Sequence, residues 1–492
     1  MNKLKTMVSS IALAASFVWI ASFVMIVLKH RNVKAFYAGV VAGWMLLPQV
    51  SIDLPGQHIT KYKILALVAG LLLPIVRRRE SPQVSLGLTW VPALGMSVVA
   101  FASSISNNMG PYDGMVSAIQ LFLLWGLPWL IGVKTLTDNE DIKAAFYVII
   151  VASLLYLPLC YFEMKMAPVL HNVVYGYEPR SVGGLGQHMR FGFWRPRVFL
   201  EHGLQLSLFM GMSSVLAASI SFSSGRLART IWVPLLLAAS TVFMFSTGAI
   251  LLMFAGWMLL LISKVPRTYY VFALLSLIPV VYPLVRIVFP GVVQVEVSEE
   301  FRPSGSGFEE RERSLAFRVR NEELLLERWR LRPLLGWTPW HYYKTTTQVV
   351  PDSLWILSLA KHGLLGWGFT TATLILPAIA VLRGRVTTGK HFDCQCGVIA
   401  IVTLMYALDC LANNMPHPVL LMLAGGAASC WRGRLTGLRP ESTRVVTSQR
   451  SRVSRRSQWP PRATFGSRFH AWVRSVSRVC IPSFRGFAGI CE

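Results

Sequence analysis

Runs of roughly 20 apolar residues, separated by short polar stretches, recur from the start of the chain to about residue 431, and each run is long enough to cross the ~30 Å hydrocarbon core of a bilayer. The runs fall at about 8–28, 35–50, 62–76, 86–104, 115–133, 143–162, 199–220, 231–246, 248–263, 269–289, 353–382, 396–412 and 416–431. Between Ile231 and Ile262 the apolar stretch is too long for one upright helix, and the small polar break Ser246–Thr247–Gly248 divides it into two short ones. The pattern predicts an all-α, polytopic bundle of about 12–13 transmembrane helices, the count turning on the first run. The first run lacks a well-placed small-residue cleavage site and reads as a retained span.

Charge orders the loops. KHRNVK (29–34), RRRE (77–80), KTLTDNEDIK (134–143), SGRLART (224–230), SKVPR (263–267), RGRVTTGK (383–390) and WRGR (431–434) form one alternating set rich in Lys and Arg, which marks the cytoplasmic side. The other set contains SIDLPGQHIT, SSISNNMGPYDG and NNMPHP, without Lys or Arg, and two long loops at about 163–198 and 290–352. Thirteen spans then put the N-terminus outside, although Lys3 and Lys5 pull the other way, and the C-terminal tail inside. In the second long loop apolar Leu315, Phe317, Val319, Leu324, Leu325, Leu326, Trp329 and Leu331 alternate with many charges, predicting an amphipathic helix at the membrane surface that Pro333 stops.

Composition agrees: 53% of the 492 residues are hydrophobic and 14% charged, against about one quarter charged in an average soluble chain. The net charge of +25 would raise nucleic acid as a partner in a soluble protein, but its location points elsewhere. Between Arg432 and Arg485 stand thirteen Arg, no Lys and one acidic residue, Glu441, so the chain divides into a membrane domain at 1–431 and a basic, disordered cytoplasmic tail at 432–492 attracted to anionic lipid head groups. A surface-lying helix around Phe465–Val479 is the alternative for part of that tail. The seven cysteines have no metal-ligand spacing, and no P-loop, GxGxxG or zinc signature occurs, so neither metal nor cofactor is expected.

A membrane protein with no nucleotide or redox site draws its driving force from an activated substrate or from a gradient. Arg195 and Arg197, two residues apart before the seventh span, offer forked donors for phosphate oxygens, or anchor the helix at the interface. Glu201 and His202 follow, as partners of that pair or, for His202, as a substrate-binding or catalytic group. Pairs at helical spacing, such as Glu323 and Glu327 with Arg328 and Arg332, account for most charge in the second loop. Asp352 and Ser353 either cap the eleventh span or face a site in which Asp352 takes a proton from a hydroxyl. Asp409 lies within a span, where an ionisable group is functional by default, with Asn413 one turn on as a hydrogen-bond partner.

Three segments carry a resemblance to the O-antigen ligase and O-antigen polymerase superfamily of bacterial polysaccharide assembly. STGAILLMFAGWMLLLI (246–262) resembles its S-R-G-A segment with Thr247 in place of Arg, and RVRNEELLLERWRLRPLLGW (318–337) resembles its Arg-led amphipathic helix ending in P-L-L-G. PDSLWILSLAKHGLLGWGF (351–369) resembles its H-N-x-Y-L-x-x-L-x-E-x-G-L-x-G motif, with Asp352, Ser353 and Lys361 where the ligases have His, Asn and Glu. RPRVFLEHG (195–203) is similar to the family's Arg-containing segment before the mid-chain helix. The resemblance implies a multi-pass glycosyltransferase of the bacterial cytoplasmic membrane, active at its periplasmic face, which moves a glycan from a polyprenyl diphosphate carrier to a glycan, lipid or protein acceptor by inverting displacement without a metal. It also implies that Arg197 and Arg318 contact the donor diphosphate, with Arg195 and Arg320 as register alternatives, and Asp352 tilts the choice toward polymerase over ligase. The rival from another class is a lipid-linked glycan flippase or other secondary transporter that uses Asp409 and the Arg cluster as a pathway.

Overall fold

Helix boundaries follow local chemistry at the ends of the apolar runs. Ser9 and Asn32 accept backbone N–H groups at the starts of α1 (Ser10–His30) and α2 (Val33–Leu46), and Arg31, in the left-handed region at φ 46°, closes α1. Asp138 caps α6 (Asn139–Met166) in the same way. The computed structural model describes residues 9–54, 57–76, 90–179, 189–190, 192–223, 230–265, 268–289, 307–338, 349, 352–388 and 395–436. All of them belong to one compact unit, Met1–Leu438, whereas the second unit, Arg439–Glu492, lies outside the described residues, as does the surface helix expected around 465–479.

The remaining helices are α3 (Lys61–Val76), α4 (Val91–Ser106), α5 (Pro111–Thr135), short α7 (Leu170–Tyr175), α8 (Gly203–Ser223), α9 (Trp232–Phe243), α10 (Thr247–Leu261), α11 (Thr268–Val288), α12 (Gly307–Arg330), α13 (Leu354–Thr388), α14 (Gln395–Asp409) and α15 (Pro418–Thr436). Two small antiparallel hairpins, β1 (Ser51–Leu54) with β2 (Gln57–Thr60) and β3 (Met189–Arg190) with β4 (Phe193–Trp194), stand beside the helices among the described residues. Six helices are long and apolar enough to cross a membrane, and their outward surfaces carry large exposed apolar groups such as Phe17, Leu155, Leu274 and Val288. The protein is therefore an all-α, multi-pass membrane protein.

Each predicted apolar run is occupied by a helix, with informative differences at the ends. α9 and α10 are separate, because Phe245 takes a left-handed φ of 51° at the Ser246–Gly248 break. α5 starts four residues earlier than expected and contains a π-helical turn, Phe122–Gly126, just before Pro128, where a missing N–H disturbs the usual i to i−4 pattern. α8 begins at Gly203, four residues later than expected, because the residues before it are held in a turn described below. α15 continues over Trp431–Arg434 to Thr436.

The amphipathic helix α12 lies between α11 and α13. Leu325, Leu326 and Trp329 pack on Ile356, Leu357, Leu359 and Ala360 of α13. On α11 the buried Arg286 approaches Glu322 at 3.5 Å and Glu323 at 3.4 Å, and donates to the Val319 carbonyl at 3.2 Å. Glu323 thus pairs across helices, in place of the pairing with Arg328 and Arg332 expected from spacing, since a buried cation without a counter-charge would be costly. Arg328 and Arg332 instead lie over the Trp337 ring, with 4.8 and 4.9 Å to its centre.

The P-L-L-G segment that follows α12 fills a break in α13. Gly363 has φ 64° and ψ −167°, which opens the helical ladder, and the freed groups pair with the incoming loop: Trp337 N–H to Ala360 O at 2.9 Å, Leu364 N–H to Pro333 O at 2.8 Å, and Leu365 N–H to Leu334 O at 3.2 Å. Asn107 of α4 donates to the Gly336 carbonyl at 3.1 Å. Irregular backbone survives within a bundle only when its polar groups are satisfied in this way.

Candidate functional site

The segment 195–202 is fixed from three sides before it reaches the site. Glu163, fully buried at the end of α6, accepts the N–H groups of Leu170, Arg197 and Val198 at 3.1, 2.9 and 2.7 Å. Those contacts hold Val198 at φ 51°, an unusual conformation for a β-branched residue. Lys61 of α3, itself buried, spends its three protons on the carbonyls of Trp44, Leu47 and Phe199 at 3.2, 3.3 and 2.7 Å. Gln49 donates to the same Phe199 carbonyl at 3.0 Å, and Tyr156 accepts the Phe199 N–H at 3.1 Å.

This scaffold sends Arg195 and Arg197 in different directions. Arg197 is 2% exposed and lies 3.4 Å from Glu178, beside Glu163 and His171. Arg195, also buried, donates to the Phe245 carbonyl at 3.1 Å, while its Nε has no hydrogen-bond partner among the described residues. Burial first, and then the positive charges of Arg190 and Arg318, pull the Arg195 guanidinium down to about 10. Arg190 and Arg318 are thus each close enough to Arg195 to repel it, an arrangement that an anion would relieve.

Arg318 of α12 reaches the N-terminal side of α13, where its Nε donates to Asp352 Oδ2 at 3.0 Å, both side chains being about 30% exposed (28% and 31%). Asp352 thus engages Arg318 through Oδ2, and the neighbouring Ser353 hydroxyl is buried with no hydrogen-bond partner among the described residues. Asp409 ends α14 and is within electrostatic reach of Arg318; Asn413 Nδ2 donates to its Oδ1 at 2.9 Å. Asp409 is partly exposed.

Of the sequence-predicted residues, the structure brings Arg195, Arg318, Asp352, Ser353 and Asp409 to one end of the bundle. Arg197 stands apart with Glu178. Arg320 is on the exposed side of α12. His202 accepts the Leu204 N–H at 3.0 Å through Nδ1 and caps α8. Glu201 accepts from Tyr62 at 3.2 Å and does not pair with the Arg residues as the sequence allowed. Arg190 is an addition, and its only signal in the sequence is its place five residues before Arg195 in the same loop.

His171 gives the scaffold a pH dependence. Its Nε2 accepts the Gln49 N–H at 3.0 Å and its Nδ1 lies 3.0 Å from the Tyr177 carbonyl, so the ring is held neutral. Burial, helped by the charges of Lys61 and Arg197, lowers it from 6.5 to about 4. Because the unfolded chain then binds a proton more readily than the folded one, the His171 contribution is intact above pH 6.5 and is lost as pH falls toward 4. The melting temperature of the detergent-solubilised protein is expected to drop between pH 7 and pH 5, with a shallower slope in His171→Asn; equal slopes would refute this.

No family model matches this chain, and no curated protein matches it.

Proposed function

We propose that this chain is a membrane glycosyltransferase that moves a glycan from a polyprenyl diphosphate carrier to an acceptor hydroxyl, as an O-antigen or exopolysaccharide polymerase or ligase. The protein acts in the bacterial cytoplasmic membrane, with about thirteen crossings and the site at the outer face. One observation carries the reading: Arg195, before α8, and Arg318, on α12, converge beside two carboxylates, and the buried Arg195 has an Nε donor with no partner among the described residues. A departing diphosphate matches that field, because negative charge grows on it as the anomeric bond breaks. The diphosphate contact resides on Arg195 and Arg318, with Arg190 nearby and Ser353 offering a hydroxyl. Arg197 supports the loop from behind.

The second reading is a lipid-linked substrate on a route through the membrane, which Asp409 at the end of a span favours. Reconstituted protein separates the two. With lipid-linked oligosaccharides extracted from the native host's membranes, a transferase releases free polyprenyl diphosphate and lengthens or attaches the glycan. A transporter moves the intact donor across sealed vesicles without breaking its diphosphate bond, and that outcome would overturn the proposal.

A further inference from the structure

The two carboxylates of the site are brought together by backbone and are used differently. Leu354 N–H, at the start of α13, donates to the Cys410 carbonyl at 3.0 Å, and Trp355 Nε1 donates to the Ala407 carbonyl at 3.1 Å. These bonds join the first turn of α13 to the last turn of α14, so Asp352 and Asp409 flank one junction. Asp352 Oδ2 is occupied by Arg318 Nε. Asp409 is oriented through Oδ1 by Asn413, four residues on, and among the described residues no hydrogen bond engages its Oδ2.

We infer that Asp409 is the residue that takes the acceptor's proton, and that Asp352 is a positioning residue that aims Arg318. The inference rests on the glycosyl-transfer reading above. In the step, the acceptor O–H gives its proton to Asp409 Oδ2 while the oxygen forms a bond to the anomeric carbon of the donor sugar. The bond from that carbon to the diphosphate oxygen breaks, and its electron pair leaves with the diphosphate, next to Arg195 and Arg318. Water takes the proton from Asp409 after the carrier departs. Asn413, donating to Oδ1, leaves Oδ2 for the acceptor hydroxyl.

Asp409→Asn preserves shape and removes the proton acceptor, so with host lipid-linked oligosaccharides its kcat is expected to fall about 10²–10⁴-fold, while the KM for donor changes little. Asp352→Asn loosens Arg318 and is expected to raise the donor KM. Elution of Asp409→Asn as a single species from size exclusion serves as the check on folding, and its binding of free polyprenyl diphosphate should match the unaltered protein. Unimpaired kcat in Asp409→Asn, with the unaltered protein turning over, overturns the assignment of the base but leaves glycosyl transfer standing. Loss of polyprenyl diphosphate binding in Asp409→Asn likewise overturns it, because the carboxylate would then serve donor binding. If the unaltered protein releases no carrier diphosphate, glycosyl transfer itself fails and the inference with it.

Discussion

Replacing Arg318 with alanine is expected to lower the release of polyprenyl diphosphate from a lipid-linked donor by about 10²–10³-fold, the usual cost of removing one donor to a developing anion. The helix that carries Arg318 should stay docked, because Arg286 holds Glu322 and Glu323 on the same helix and Leu325, Leu326 and Trp329 remain packed on α13. Lysine should restore only part of the rate. Its ammonium supplies charge but not the flat fork that lets a guanidinium serve Asp352 and a phosphate oxygen together. The measurement is turnover of the reconstituted variants at saturating donor, with elution as a single species from size exclusion as evidence of folding. A fully active Arg318→Ala protein would remove the diphosphate contact from this residue.

The largest loss of stability is expected from Gly363→Ala. A Cβ there would stand 2.2 Å from the Leu334 carbonyl oxygen and 2.5 Å from the Leu335 amide nitrogen, both backbone atoms that cannot swing aside. The conformation itself, φ 64° and ψ −167°, belongs almost entirely to glycine. Strain and clash together should cost about 3 kcal/mol or more, among the larger effects of a single substitution. Thermal unfolding in detergent should show a drop of several degrees, or loss of the folded species. Unchanged melting would mean that the loop between α12 and α13 is free to shift, contrary to its hydrogen bonds with Ala360, Leu364 and Leu365.

Much of this architecture is legible in the chain, because crossing a bilayer demands long apolar helices and apolar runs are visible without any knowledge of packing. The break at Ser246–Gly248 and the stop at Pro333 are local signals, and both are found in place. Which of two neighbouring arginines faces the site is another matter. Arg195 and Arg197 are separated by one residue, and their directions are decided by Glu163, more than thirty positions earlier in the chain. A carboxylate at the end of a hydrophobic helix carries no local mark of the three amides it will hold. Arg286 is hidden in the same way, because its partners Glu322 and Glu323 lie on another helix, more than thirty positions later in the chain. Spacing rules favour pairs within one helix, whereas burial rewards whichever partner can neutralise the least hydrated charge.

Lys61, Gln49, Tyr156 and Glu163, from α3, the stretch after α2, and α6, all act on the few residues that follow Arg195. A flexible strand bearing the same arginine would have to surrender conformational entropy each time it closed on an anion. Here that ordering is completed during folding, so the binding surface is preorganised and little of the attraction is consumed in arranging it.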